Sequence, residues 1–441
     1  MKTPNVTLRA STGSAAPLRL ASLLLAALPT SIGWAQSSVP AIFVANNGNL
    51  EGSVSSLTIA PDGSLAFRQK LVLGSVPSLQ FFDPGLNAYS ISISPDGRWL
   101  AVSHATASTT VERISVLEVL PDAGIALAFV FDTPDSPLDV EWVDDGLLAV
   151  TRTSTNTANN VLLYTIDPEE GQAALSDSAV SGGFNSWIAV HPSRELLFTQ
   201  ESSSNTVRSF VVEGSSLTQT STAFNGSVYP LGLGVSPDGT RIYSGGGISA
   251  GGKMISGWTI DAALGVLTPI PGSPWISPGQ SPKQVAVSGD GSYAYVGHGT
   301  DATIRGFAIA PDGALVDIGV MFDVGFQGSL GEIAISGDLL FATDRDTIFD
   351  GQRGVYSFTI GVDGSLNQNG PLVDTQGISP NSIAIWRPAP GDPADLDGNG
   401  TVDGADLGLL LAAWGTGGPG DLDGNGIVDG ADLGLLLAAW Q

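Results

Sequence analysis

The 441-residue sequence contains no cysteine. Disulfide frameworks, thiolate metal centres and cysteine nucleophiles are therefore excluded, and stability must come from packing and bound ions. Cations are scarce too: 17 Lys and Arg face 43 Asp and Glu, a formal net charge of -26. A surface of that sign repels phosphate backbones and anionic lipid, which argues against nucleic acids and membrane surfaces as partners and favours metal cations. Histidine occurs three times, at His104, His191 and His298. His191 takes the place of a turn serine and reads as structural. His104 and His298 each end a strand where a rim position is conceivable, but neither has triad or metal-ligand spacing around it. No segment reaches the eighteen apolar residues of a membrane span. The apolar run LASLLLAAL, from Leu20 to Leu28, follows Lys2, Arg9 and Arg19 and precedes the small Gly33 and Ala35. That is the pattern of a signal peptide over residues 1–35, so a secreted, soluble mature protein of bacterial type is expected.

What is abundant is glycine and proline, 57 and 27 residues. Helices would not tolerate them, so the body of the chain should be all-β with many turns. From Ala41 to Arg387 the sequence repeats about every fifty residues. The mark of the repeat is an apolar strand, a turn and a second apolar strand, as in YSISISPDGRWLAVS from Tyr89 or LGLGVSPDGTRIYS from Leu231. Further copies start at Leu138, Ser186, Lys283 and Gly331. In Ser94-Pro95-Asp96-Gly97 the proline presets φ and the glycine accepts the left-handed corner of a hairpin. A third strand follows each copy, such as ISVLEV from Ile114 or IRGFAI from Ile304, and then a second turn such as APDGAL from Ala310. Two hairpin signals make four strands per unit, the build of a propeller blade.

Six intact copies leave one divided between the chain ends, with NSIAIW (Asn381 to Trp386) and AIFVAN (Ala41 to Asn46) as its first two strands. A sandwich or an open solenoid does not explain that division. Residues 36–387 are therefore predicted to form a seven-bladed β-propeller with split-blade closure, which leaves no free sheet edge. The repeat resembles the lactonase-like seven-bladed propellers that include 6-phosphogluconolactonase and muconate-lactonising relatives. That resemblance implies a mouth built partly from a Pro-Arg-His triplet before a Phe-His-Pro turn. Here the equivalent stretch is Asn185-Ser186-Trp187 before Val190-His191-Pro192, and both the arginine and the histidine are missing. Ser281-Pro282-Lys283 keeps the proline and a positive charge, and Glu201 lies near the place of the family's acidic residue. Lys283 and Glu201 are thus the candidate catalytic pair if a lactone hydrolase survives.

The first residues of the inner strands should face the central channel. These include Asp139, Trp187, Lys283, Glu332 and Asn381, a mixture suited to a small polar ligand or to a sugar ring stacked on Trp187. Arg152 and Arg345 end second strands and could join them. The expectation favours a ligand-binding mouth over an enzyme, with a sugar-lactone hydrolase and a protein-interaction platform as alternatives.

The chain ends on one acidic phrase written twice, DLDGNGTVDGADLGLLLAAW from Asp395 and DLDGNGIVDGADLGLLLAAW from Asp421. Counted from Asp395, oxygen ligands fall at calcium-loop positions as Asp395, Asp397, Asn399, the Thr401 carbonyl, Asp403 and Asp406. The second loop repeats them as Asp421, Asp423, Asn425, the Ile427 carbonyl, Asp429 and Asp432. Hard oxygen donors converging from a loop suit Ca2+, and two ions are expected. Pro388, Pro390 and Pro393 forbid an entering helix, so residues 388–394 read as a stiff linker and 395–441 as a duplicated loop-helix calcium module. That form resembles the type I dockerin. The resemblance implies a cohesin-like partner on a scaffold or surface, often in polysaccharide breakdown, although Gly404-Ala405 and Gly430-Ala431 stand where many dockerins carry hydroxyl residues. On the first helix Leu407, Leu410, Leu411 and Trp414 form one stripe. Leu409 and Ala413 lie off it, so the helix is apolar all round and needs a cover.

Overall fold

The computed structural model describes residues 39–105, 112–153, 159–180, 185–226, 230–246, 253–325, 329–345, 353–388, 393–396 and 402–440. The expected signal peptide and most of the linker lie outside them. Seven antiparallel sheets stand around one axis, six with their strands in chain order from the inside outwards and the seventh with Pro380–Trp386 innermost, followed by the first three strands of the chain. The inner strands are Ala88–Ile93, Pro137–Asp144, Asn185–Val190, Pro230–Val235, Pro282–Val287, Leu330–Ser336 and Pro380–Trp386. Each neighbours the next, and the last returns to the first. In two sheets the outer strand is broken into two short pieces, Leu267–Pro269 with Trp275–Ile276 and Leu366–Gln368 with Val373–Asp374.

The division of the seventh blade is as expected. Ala41–Asn47 pairs with Pro380–Trp386, Phe43 opposite Ala384 and Ala41 opposite Trp386. Seven apolar clusters fill the seven gaps between blades. One joins Phe43, Val54, Leu100 and Trp386, and another joins Tyr243, Val285, Val296 and Phe307. Because each sheet is apolar on both faces of its inner strands, no blade can stand alone, and the ring buries them all at once. Side chains also tie blade to blade. Tyr243 donates to the Gly313 carbonyl at 2.9 Å, Tyr295 to that of Gly364 at 2.9 Å, and Ser357 to that of Gly63 at 2.6 Å.

The inner hairpins turn as their sequence requires. In Ser94–Gly97 the serine hydroxyl donates to Asp96, Asp96 accepts from the Arg98 amide, and Gly97 sits at φ 75°. The same turn recurs at Ser236–Gly239 and Ser288–Gly291, with glycine φ of 71° and 73°. At His191 the imidazole replaces the serine. Its Nε2 lies 2.9 Å from the Gly239 carbonyl of the next blade, so this histidine is structural.

The C-terminal residues form two helices, α1 (Gly404–Ala412) and α2 (Gly430–Ala438). Each starts on a capping box. Asp403 and Asp429 accept from the amides of Ala405 and Ala431, while Asp406 and Asp432 reach back to the N-cap amides. Val402, Leu410, Val428 and Leu436 make the shared core, joined by Ala394, which therefore belongs to this unit and not to the linker. The expected stripe is narrower than its sequence spacing suggests. Leu410 is buried and Leu407 half-buried, but Leu411 and Trp414 are 51% and 45% exposed. No helix among the described residues is long and apolar enough to cross a membrane.

Candidate functional site

Each inner strand begins at the same end of the axis, and there a cavity of about 270 Å³ opens. The expected channel residues Asp139, Trp187, Lys283, Glu332 and Asn381 all line it. They converge because each follows the connection that brings the chain back to the axis. Of the two arginines considered, Arg345 joins the cavity. Arg152 does not: it pairs with Asp135 at 2.5 Å and donates to the Asn159 carbonyl at 2.9 Å.

Glu201 is not brought to the mouth. It is fully buried at the end of its strand, ion-paired to Arg208 Nε at 3.0 Å and accepting from Ser204 and from Thr206 at 3.0 Å. A carboxylate held by three donors within its own hairpin is committed to structure and is not available as the partner of Lys283. His104 and His298 are absent from the rim as well. His104 Nδ1 donates to the Leu86 carbonyl at 3.0 Å, and His298 Nε2 meets the Ser277 hydroxyl at 2.6 Å. Burial drives both imidazoles down to about 4, so each is neutral at physiological pH.

The cavity also holds residues that the sequence reading missed. Glu141 lies two residues after Asp139 on the same strand, and period-two alternation gives it the same face. Tyr89 packs edge-on against Trp187, ring centroids 6.5 Å apart. Ser90 donates to Asp139 Oδ1 at 2.5 Å, while the other oxygen of Asp139 accepts from the Ile188 amide at 2.7 Å. Ser92 donates to Glu141 at 2.7 Å, and Glu332 accepts from the Ile383 amide at 3.2 Å.

The charged groups of the cavity come from several blades: Asp139 and Glu141 share one inner strand, Lys283 opens another, and Glu332 lies on the strand next to it, in the same blade as Arg345. Burial raises the carboxyls of Asp139, Glu141 and Glu332 to about 6, about 8 and about 7. Mutual repulsion adds to the rise for Glu141 and Glu332. Lys283 is lowered to about 8 by burial and then by Arg345, and Arg345 itself is lowered by burial. Among the described residues no ion pair within 4.0 Å joins these acids to the two cations. Tyr89 feels both: burial raises its phenol, Arg345 opposes, and Asp139 and Glu332 reinforce. Such a site can offer donors, acceptors and transferable protons to a small polar molecule at neutral pH.

In the C-terminal pair, Asp421, Asp423 and Asp432 bring carboxylate oxygens within 4.8 Å of one another. Asp432 has no exposed surface. It accepts from the amides of Asp429 and Leu422 at 2.7 Å and of Asp423 at 3.0 Å, which hold its carboxyl below the usual range. Asp421 Oδ2 accepts from the Gly426 amide at 2.8 Å, but its Oδ1 is buried and has no hydrogen-bond partner. An orphaned carboxylate oxygen among acidic neighbours is what a hard cation would satisfy. Asn425 bonds Asp423 through its amide nitrogen at 2.9 Å, and Asp429 spends Oδ1 on the α2 cap. In the first loop Asp397, Asn399 and Thr401 lie outside the described residues. Asp395, Asp403 and Asp406 lie within them, and Asp403 and Asp406 repeat the capping geometry of Asp429 and Asp432.

No family model and no curated protein matches the chain. Solved structures do. The periplasmic gluconolactonase of Pseudomonas aeruginosa superposes with a TM-score of 0.62 at 17% identity, covering 80% of this chain and 100% of that one. A Bacteroides fragilis protein assigned as a 6-phosphogluconolactonase gives 0.62 at 14% identity, covering 80% and 99%. Its structural neighbours are thus 6-phosphogluconolactonase-like seven-bladed propellers, and at such identities the likeness defines fold alone.

Proposed function

We propose that this chain is an exported ligand-binding propeller whose mouth takes a small polar, carbohydrate-like molecule, and whose C-terminal module tethers it to a partner. The observation that carries the first half is the convergence of charged side chains from three inner strands, with Tyr89, Trp187 and Arg345, on one cavity without mutual neutralisation. Leaving desolvated charges unpaired is costly in a folded protein, and a ligand that completes them accounts for the arrangement. Calorimetry of the full-length protein with monosaccharides and aldonates tests it. Binding that disappears in Asp139→Asn and Glu332→Gln is the expected outcome, and binding indifferent to both would overturn the site.

For the tail, the fitted reading is calcium. Asp421, Asp423 and Asp432, with Asn425 and the Ile427 carbonyl, would hold one ion, and the Asp395 loop a second. The bound ion would neutralise carboxylates that otherwise repel and would fix the two helices on their shared core. The leucines left exposed on each helix, with the exposed Trp414 and Trp440 just beyond the helix ends, suit a cohesin-like partner of dockerin type, with a place in extracellular polysaccharide utilisation. Co-precipitation from the secreting organism with and without chelator tests this, and capture unaffected by EDTA would refute it.

A second reading is favoured by one observation. Glu332, Glu141 and Lys283 line one cavity, and all three change charge near neutrality, the property of general acids and bases. Together with the gluconolactonases among its structural neighbours, this supports hydrolysis of a sugar lactone. Turnover of a lactone panel by the parent protein, lost in Lys283→Ala and Glu332→Gln but kept in Glu201→Gln, would replace ligand binding by catalysis.

A further inference from the structure

Below the mouth the axis widens again. A second cavity, of about 390 Å³, opens on the underside beside the inner hairpin turn at His191, and Ile91, Glu141, Ile188, Gln284 and Ile383 line both cavities. These side chains form the waist between them. Glu141 lies opposite the third residue of its blade's second strand. At that height the other six blades carry Ser92, Ala189, Gly234, Ala286, Ala334 and Ala384. One carboxyl thus stands in a ring of small residues, which leave it room and, Ser92 apart, offer it no partner. Ser92 donates to Glu141 Oε2 at 2.7 Å, and Oε1 has no hydrogen bond with any described residue.

At the lip of this lower cavity one hairpin departs from its sisters. The fourth turn residue is glycine at Gly97, Gly239 and Gly291, with φ of 75°, 71° and 73°, but in His191–Arg194 it is Arg194, at φ 63°. That left-handed conformation costs any other residue more than glycine, so the guanidinium, not the backbone, accounts for the arginine. Exposed on the underside, it reaches across to the neighbouring blade, where Nη1 donates to the carbonyls of Trp142 at 3.1 Å and Val143 at 3.3 Å, the two residues after Glu141. Those bonds fix the group at the cavity and leave Nε and Nη2 without a hydrogen bond to any described residue. Arg194 is near enough to oppose the rise of the Glu141 carboxyl, yet the two make no ion pair within 4.0 Å. An acid and a base are held close together and kept apart.

We propose that the underside cavity binds a small zwitterion of α-amino-acid type, its carboxylate on Arg194 and its ammonium on Glu141. Opposite charges one carbon apart bridge an acid and a base that face one cavity without touching, and the free N–H groups of a guanidinium match a carboxylate. In the empty protein burial and then Asp139 raise the Glu141 carboxyl to about 8, Glu332 adds to the rise, and Ser92 and Arg194 oppose it. At pH 7 the group is therefore mostly protonated. An ammonium placed on it favours the carboxylate, so binding releases a proton. The site stands whether or not the mouth takes a ligand.

The test is calorimetry of the full-length protein at pH 7 with alanine, serine and leucine, and with propionate and ethylamine as the two halves of alanine. At least one amino acid should bind, more tightly than either half. Arg194→Gly, which gives the turn the residue of its sisters, and Glu141→Gln should each weaken that binding about 10-fold or more, while Lys283→Ala, in the mouth, should leave it unchanged. On the parent, the heat should vary with the ionisation enthalpy of the buffer and report release of about one proton. A heat independent of buffer would overturn the placement of the ammonium on Glu141 and with it the proposal, and that measurement needs no variant to fold. Absence of heat with all three amino acids, or a half that binds as tightly as the whole, would overturn it too. Affinity lost in Lys283→Ala would move the ligand to the mouth and remove the underside site. None of these results decides whether monosaccharides or aldonates bind at the mouth.

Discussion

Replacing Glu332 by glutamine should stabilise the propeller in alkaline solution and leave it unchanged in acid. Burial lifts this carboxyl from its ordinary 4.5 to about 7. Because the folded value is the higher one, the native state binds more protons than the unfolded chain between those limits. The stability associated with the group is then fully present below pH 4.5 and is lost as pH rises through 7. At about 1.4 kcal/mol per tenfold change in proton affinity, ionised Glu332 costs the fold about 3 kcal/mol at pH 8.5. Glutamine keeps an oxygen for the Ile383 amide and carries no charge, so it should recover most of that amount. Part of the cost is shared with Asp139 and Glu141, which repel the same charge, so about 3 kcal/mol is an upper figure. Urea unfolding of parent and variant at pH 4 and pH 8.5 measures it. A variant no more stable than the parent at pH 8.5 would show that Glu332 is solvated or paired, and its reading as a desolvated carboxyl would have to be abandoned.

Other outcomes follow from the same geometry. Arg208→Met strands the buried Glu201 carboxylate and should cost about 3 kcal/mol in denaturant unfolding, since one partner of a buried pair is removed, with ligand affinity at the mouth unchanged. Gly331→Ala forces a methyl against Thr343, Arg345 and the Asn381 carbonyl, so a loss of about 1–3 kcal/mol in urea unfolding is expected. Asp421→Ala should reduce the calorimetric calcium stoichiometry of the full-length protein from two ions to one, and parent and variant of equal stoichiometry would remove the second loop from the account.

The ring was legible because propeller signals are local. A Ser-Pro-Asp-Gly corner between alternating strands names its hairpin, and the halves at the two chain ends name the closure. The residues opening the inner strands were legible for the same reason: register puts Asp139 and Glu332 at equivalent positions, one residue before the paired Val140 and Ile333, and Lys283 one residue earlier on its strand. What required coordinates was partnership. Arg152 and Arg345 look alike in sequence, and only the fold shows Asp135 beside one and open cavity beside the other. Glu201 was misjudged because its owner, Arg208, sits on the next strand, although both belong to one hairpin. Glu141 was readable from alternation and was overlooked. In the helices, spacing suggested that Leu411 and Trp414 pack inward. The contact between α1 and α2 instead rests on Leu410 and Leu436, and the caps at Asp403 and Asp429 set the rotation.

The strand Pro380–Trp386 enters beside the cavity, where Asn381 and Ser382 line the wall, and runs down the axis to Trp386. There Arg387 fastens to Ser336 at 3.1 Å, and Ala41, paired with Trp386, marks the incoming chain. Both termini of the ring therefore emerge on its underside. Were the C-terminal module to anchor the chain as proposed, the pull would act on that underside, and the entrance at the far end of the axis would face away from the attachment.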